Sequence, residues 1–193
     1  MVSAVPVRII TGQAKGRYLK VPRGWGGRPT SDRVKESLFN ILGPLVPGAS
    51  FLDLFAGTGS VGIEALSRGA SRAVFVENDR QAVRAIRENL AQTGLGDRAE
   101  VLPLDVLAAA GKLKGQKFNL IFLDPPYGQG LEIPAMEALV ANNLLDEDSL
   151  VVVEGSRRRK MPARVGCLKL CREHRIGDTV LAFYRPGVNG GED

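Results

Sequence analysis

Four acids stand within or at the ends of apolar runs: Asp53 in FLDLFAGTGSVG, Glu77 in RAVFVE, Asp105 in EVLPLDV and Asp124 in NLIFLDPPY. Gly57, Gly59 and Gly62 follow the first acid with the G-x-G-x-x-G spacing of a dinucleotide-binding turn. A pyrophosphate held there is anionic and wants amide N–H groups at a helix start, so a carboxylate on the preceding strand repels it. S-adenosyl-L-methionine reverses that requirement, because it carries a sulfonium and an α-ammonium and no phosphate. Asp53 can attract the ammonium directly or through water, while Gly57 and Gly59 let the backbone come close to the ligand. The competing reading of Asp53 is a helix or turn cap. Glu77, twenty residues beyond Gly57, can accept both ribose hydroxyls, a role that NAD and adenosylmethionine share. Asp105 can accept from the adenine amine with Val106 near the ring, or cap the helix that follows.

The stretch Asp124–Pro125–Pro126–Tyr127 separates these alternatives. Two consecutive prolines fix φ and remove two N–H donors, so the carboxylate and the intervening carbonyl present acceptors on a stiff turn. Two acceptors followed by an aromatic suit a planar ring bearing an exocyclic NH₂, with Tyr127 stacked on it. In isolation the tripeptide PPY reads as a strand terminator. Behind Asp53, the glycines and Glu77, it points to a methyl donor facing an amine.

The elements that must position these residues follow from periodicity and punctuation. Residues 7–22 read as two short strands around a Gly-containing turn. Ser31 or Thr30 can cap a helix to about Leu42, with Val34, Leu38 and Ile41 on one face. Strands are expected at 50–54, 72–77, 99–103 and 118–124, and at SLVVVEG. They alternate with helices near 60–68, 79–93, 105–111 and 131–143. The end, VGCLKLCREHRIGDTVLAFYR, reads as an antiparallel hairpin turning at Ile176–Asp178. Strand–helix alternation predicts an α/β Rossmann-like doubly wound sheet with ligands at the carboxyl ends of its strands. The closing hairpin predicts a seven-stranded mixed sheet with helices on both faces.

Composition bounds the rest. The 193 residues carry 44% hydrophobic and 24% charged side chains, ordinary for a globular domain. No apolar run reaches the roughly 20 residues of a membrane span, and the start is too short and broken for a secretory signal, so no membrane association and a cytoplasmic location are expected. Cys167 and Cys171 would lie about 13 Å apart along a strand, beyond disulfide reach. With His174 as the single histidine, no metal site is expected. The net charge is +5, gathered in Lys15, Arg17, Lys20, Arg23 and Arg28 and again in Arg157–Lys160. Such patches suit a polyanion, or simply a solvated face.

The runs FLDLFAGTGSVGIEALSRGA, FVEND and NLIFLDPPY resemble the class I adenosylmethionine-dependent methyltransferases of the amino-methylating (D/N)PP(Y/F) group. RIITGQAKGRYLKVPRGWGGRPTSDRVKESLFNIL and the final GDTVLAFYR narrow this to a resemblance with the RsmD family, bacterial small-subunit (16S) rRNA guanine-N2 methyltransferases, over about residues 8–185. The resemblance implies methyl transfer to a guanine N2 in small-subunit ribosomal RNA or a 30S assembly particle, by a monomer using S-adenosyl-L-methionine and no metal. It assigns Asp124, Pro125, Pro126 and Tyr127 to catalysis. To the donor it assigns Asp53, Phe55, Ala56, Gly57, Thr58, Gly59, Glu77, Asn78, Asp105, Val106 and Asp124, and to the substrate Arg28, Thr30, Arg33 and Tyr127. It also implies an RNA-side extension over 1–43, a methyltransferase domain over 44–186 and a loose tail over 187–193. A DNA adenine-N6 methyltransferase and a non-catalytic RNA-binding protein are the rival readings.

Overall fold

A computed structural model describes residues 6–22, 25–27, 29–126 and 128–187. Arg28 and Tyr127, both expected in the site, lie outside the described residues, as do Arg23 and the tail from 188 onward. Ten strands and five α-helices follow one another among the described residues. Strands β1 (Val7–Arg8) and β2 (Tyr18–Leu19) form a small antiparallel pair, followed by helix α1 (Asp32–Leu42). The series β3 (Ser50–Leu54), α2 (Ser60–Ser67), β4 (Arg72–Val76), α3 (Arg80–Thr93), β5 (Ala99–Leu102), α4 (Val106–Lys112), β6 (Phe118–Leu123), α5 (Glu132–Ala141) and β7 (Leu145–Ser156) comes next. The chain closes with β8 (Arg164–Val165), β9 (Leu168–Ile176) and β10 (Thr179–Pro186).

The main sheet runs β5-β4-β3-β6-β7-β10-β9-β8. Its first five strands are parallel and its last three antiparallel. The parallel strands are apolar on both sides because helices cover both faces, as a doubly wound sheet requires. The order reverses between β3 and β6, so the loops after them, FAGTG and DPP, open into one crevice. The sheet has eight strands rather than the expected seven. Two-residue β8 is too short to show alternation, and it forms only because Gly166 at φ 56° folds Arg164 and Val165 back onto Lys169 and Leu168.

Side-chain alternation sorts the sheet into two cores. Leu52, Leu54, Val76, Leu123 and Val153 face α4 and α5, while Phe51, Phe75, Phe122 and Val152 face α1, α2 and the N-terminal segment. On α1, Ser31 caps as expected, its Oγ accepting from the Val34 amide at 3.3 Å. The buried face is wider than expected: Lys35, Phe39 and Leu42 are enclosed with Val34 and Leu38, while Ile41 is only partly buried. The Lys35 ammonium donates to the Arg8 carbonyl at 2.5 Å and pairs with Asp32 at 3.4 Å, while burial lowers its pKa.

Glu64 on α2 holds the N-terminal segment from the other side. Its carboxylate is fully buried and accepts from the Ile10 amide at 2.8 Å and the Thr11 amide at 3.0 Å, with Arg68 at 2.8 Å. Ser67 completes the clasp by accepting from the Ala14 amide and donating to the Thr11 carbonyl. Glu64→Ala leaves two partly buried amides and a guanidinium without their acceptor. It should cost on the order of 3 kcal/mol in chemical denaturation and speed proteolysis within residues 7–19. Wild-type stability in that variant would show that the clasp contributes nothing.

Candidate active site at the carboxyl ends of the sheet

Asp53 occupies the next-to-last position of β3, where alternation turns it toward the face of Phe51 and Phe75. It is 2% exposed, and its Oδ2 accepts from the Gly62 amide at 2.9 Å. Burial raises its pKa to about 8; the Gly62 bond opposes that rise, and the nearby Asp124 and Glu77 charges add to it. The third glycine of the motif is explained by packing. A Cβ on Gly62 would stand 2.4 Å from the Phe75 ring and 3.0 Å from Asp53 Oδ2. Gly62 therefore lets α2 sit down on β4 while donating to the acid beside it.

The loop between β3 and α2 turns through Phe55 at φ 63°, Gly57 at φ 56° and Gly59 at φ 77°. A left-handed phenylalanine is costly, and such strain gathers at functional sites. Glu77 anchors the loop: one carboxylate oxygen accepts from the Gly57 amide at 2.8 Å and the other from the Asp79 amide at 2.9 Å. Asp105 Oδ1 accepts from the Leu107 and Ala108 amides, each at 3.0 Å, so the helix cap weighed against an adenine contact is formed. That leaves Oδ2 outside the cap. Asp124 follows β6, its amide 3.4 Å from the Leu54 carbonyl.

Three cavities meet along this edge. The first, about 160 Å³, is mostly apolar and lies between Phe55, Glu77, Asn78, Asp105, Val106 and Pro134. The second, about 510 Å³, takes in Asp53, Phe55, Ala56, Gly57, Thr58, Thr30 and Asp124. Phe55, Glu77, Asn78 and Leu131 belong to both. The third, about 500 Å³, opens on the far side of Pro125 and Pro126 and includes Arg33 and Arg159. Most of the expected donor residues thus line one continuous trough; Thr30 lines the second cavity with them and Arg33 lines the third. Gly59 shapes the turn without lining a cavity.

The second cavity suits a cationic ligand. Asp53, Glu77 and Asp124 are gathered around it, and the Thr58 hydroxyl in its wall is buried without a hydrogen-bond partner. Over the glycine loop lies Trp25, whose indole would be 2.9 Å from a Cβ on Gly57. It covers the loop face of this cavity. Among the described residues no group of three or more His, Cys, Asp or Glu side chains could hold a metal ion. No helix among them is long and apolar enough to cross a membrane.

Sequence reasoning passed over Glu154 and Thr179. Glu154 ends an apolar parallel strand just as Asp53 and Asp124 do, a signal present in SLVVVEG. Arg159 belongs to the run read as suiting a polyanion or a solvated face; it pairs with buried Glu132 at 2.5 Å. The basic arm is partly engaged within the molecule: Lys20 pairs with Glu88 at 3.1 Å, and Arg17 donates to the Gln92 carbonyl.

Residues 7–185 match the family model described as Conserved hypothetical protein 95. The chain is 37% identical over 187 residues to Ribosomal RNA small subunit methyltransferase D of Escherichia coli K12, covering 97% of this chain and 93% of that one. Among solved structures, the Escherichia coli protein yhhF superposes with a TM-score of 0.86 at 34% identity, over 96% of this chain and all of that one. An RNA methyltransferase from Salinibacter ruber in complex with S-adenosyl-L-homocysteine shares the fold at a TM-score of 0.66 and 18% identity, covering 86% of this chain and 97% of that one.

The raised pKa of Asp53 sets a pH signature. The folded protein keeps this proton up to about pH 8, whereas an unfolded aspartate releases it near 3.8. Protonation therefore favours folding, and the advantage is lost as pH rises through that window. Asp53→Asn should gain on the wild type by roughly 1.4 kcal/mol per pH unit between about pH 5 and 8. Urea denaturation of both proteins across that range measures it; parallel curves would mean that Asp53 titrates normally.

Proposed function

The chain belongs to the Conserved hypothetical protein 95 family, the RsmD-like methyltransferases, and from that premise we propose that it methylates the exocyclic N2 of a guanine in small-subunit ribosomal RNA. Its methyl donor is S-adenosylmethionine, which supplies when bound a methyl group on a positively charged sulfur. One observation carries the reading: Pro125 and Pro126 form a wall shared by the acid-lined cavity and the third cavity. A base entering from one side and a donor lying in the other meet at the DPP turn.

The donor fits the chain's own groups. Asp53 offers a carboxylate whose burial among other acids is relieved by a cation. The glycine loop exposes backbone at Gly57, and the Thr58 hydroxyl has a hydrogen bond to give. Glu77 and Asn78 stand at the passage to the narrow apolar chamber, where Val106 and Asp105 suit an adenine ring and its amine.

Asp124 and the Pro125 carbonyl would accept the two N–H bonds of the guanine amine. That orientation turns the nitrogen lone pair toward the methyl group. A guanine amine is a weak nucleophile because its lone pair delocalises into the ring. Acceptors already in place stabilise the positive charge that develops on nitrogen as it forms the new bond, at no cost of reorganisation. Fixing the approach of the two reactants supplies much of the remaining advantage. Asp124 or water then takes the proton released. Tyr127, directly after the turn in sequence, is the candidate partner for a base taken out of its stack. Residues 1–43 would cover the entrance on the RNA side, with Thr30 and Arg33 at the rim.

Asp124→Ala should bind S-adenosylhomocysteine within about threefold of wild type yet lose roughly 10²–10³-fold in transfer. Labelled-methyl assays on small subunits from cells lacking the protein would measure this, with DNA as the competing substrate; full turnover refutes the role. A second measurement addresses Asp53. Binding the donor's ammonium should drive a proton off its carboxyl near pH 7, seen as net proton release in calorimetry across buffers of different ionisation enthalpy. Asp53→Asn should abolish that release, and a release unchanged in the variant would remove Asp53 from the ammonium site.

A further inference from the structure

The guanine reading leaves open how this base is told from others that carry an exocyclic amine. Val153 pairs with Leu123 in the parallel β6–β7 ladder, so Glu154 and Asp124 hold equivalent positions on neighbouring strands. Their backbones are about 4.8 Å apart there, and alternation turns both toward the face of Phe122 and Val152. Glu154 is 7% exposed. The described residues common to the acid-lined cavity and the third cavity are Ser31, Val34, Pro125, Pro126, Glu154 and Thr179. Among them Glu154 is the single ionisable side chain. It is also a full strand away from Asp53, so the ammonium already has a nearer partner.

We propose that Glu154 identifies the target base as guanine by accepting its N1–H, beside the amine held at Asp124. This inference rests on the guanine-N2 reading above. Guanine presents N1–H and N2–H₂ side by side along one edge, a row of donors that two neighbouring carboxylates match. Adenine and 2-aminopurine present a bare N1 acceptor at the same place. Against Glu154 that acceptor meets an acceptor, and the bond that guanine's N1–H would make there is lost. A site built to receive an N–H rejects analogues that lack it far more strongly than shape alone would. Glu154 therefore acts as a specificity residue, while methyl transfer itself stays with Asp124 and Pro125.

The test compares small-subunit RNA carrying guanine or 2-aminopurine at the nucleotide that the unaltered protein methylates. 2-Aminopurine keeps the reacting NH₂ and loses N1–H. Wild type should prefer guanine by about 100-fold or more in kcat/KM. Glu154→Gln can donate its amide N–H to the bare N1, and should bring the two substrates within about tenfold. Glu154→Ala, with neither group, should also narrow the gap. S-adenosylhomocysteine affinity within about threefold of wild type shows that a variant is folded, and the alanine variant decides should the glutamine variant fail this check. A preference unchanged in the variants, equal losses on both bases, or a wild type that does not discriminate would each overturn the role of Glu154. A wild type that leaves guanine-bearing RNA unmethylated would instead refute the guanine-N2 reading.

Discussion

A carboxylate buried at the end of an apolar sheet beside two half-buried ones is expensive, and this site is built around that expense. Asp53 is enclosed, has one backbone donor, and is close enough to Asp124 and Glu77 for their charges to raise its pKa further. An apolar residue at the same point of β3 would stabilise the protein. The arrangement becomes favourable when a cation arrives, because one positive group relieves desolvation and mutual repulsion together. The same acids disfavour a pyrophosphate. A glycine pattern that on its own fits two cofactors is thus resolved by the charge around it.

The neighbours of Asp53 and Glu77 fix the loop around them. Glu77 spends an oxygen on each of two amides and ties the glycine loop to the end of β4. Gly62 gives up its side chain so that α2, the Phe75 ring and Asp53 can share one small volume. At the DPP turn the prolines remove two amide donors and stiffen the backbone that carries the acceptors. Glu64, two residues beyond Gly62, is directed away from the site and draws the N-terminal segment onto the sheet. Helix α2 therefore links the glycine loop to the N-terminal segment at Ile10 and Thr11.

Some of the charged groups singled out in the sequence are engaged inside the molecule, one by a local partner and others by distant ones. Asp105 makes the helix cap with one oxygen, which leaves the other for an adenine amine, so cap and contact are compatible on one side chain. Arg17 and Lys20 were legible as charge but not as partners, because Gln92 and Glu88 are brought to them by α3, some seventy residues on. Lys35 shows the same limit. Its position on α1 reads as solvent-facing, yet the Arg8 carbonyl and Asp32 receive its ammonium inside the fold.

What the amino-acid order determined by itself was everything governed by short range. Apolar alternation, glycines with positive φ, side-chain caps and the diproline each act within a few residues. The parallel strands, their helices, the acids within or after four of those strands and the rigid acceptor turn could therefore all be read from it. Tertiary structure decided which of these meet. The reversal of strand order between β3 and β6 joins FAGTG to DPP, and the β6–β7 register sets Glu154 beside Asp124. Cavities with shared walls arise only from that assembly. Strand neighbours and register are long-range choices, made by how whole hydrophobic faces pack, and no local pattern in the chain records them.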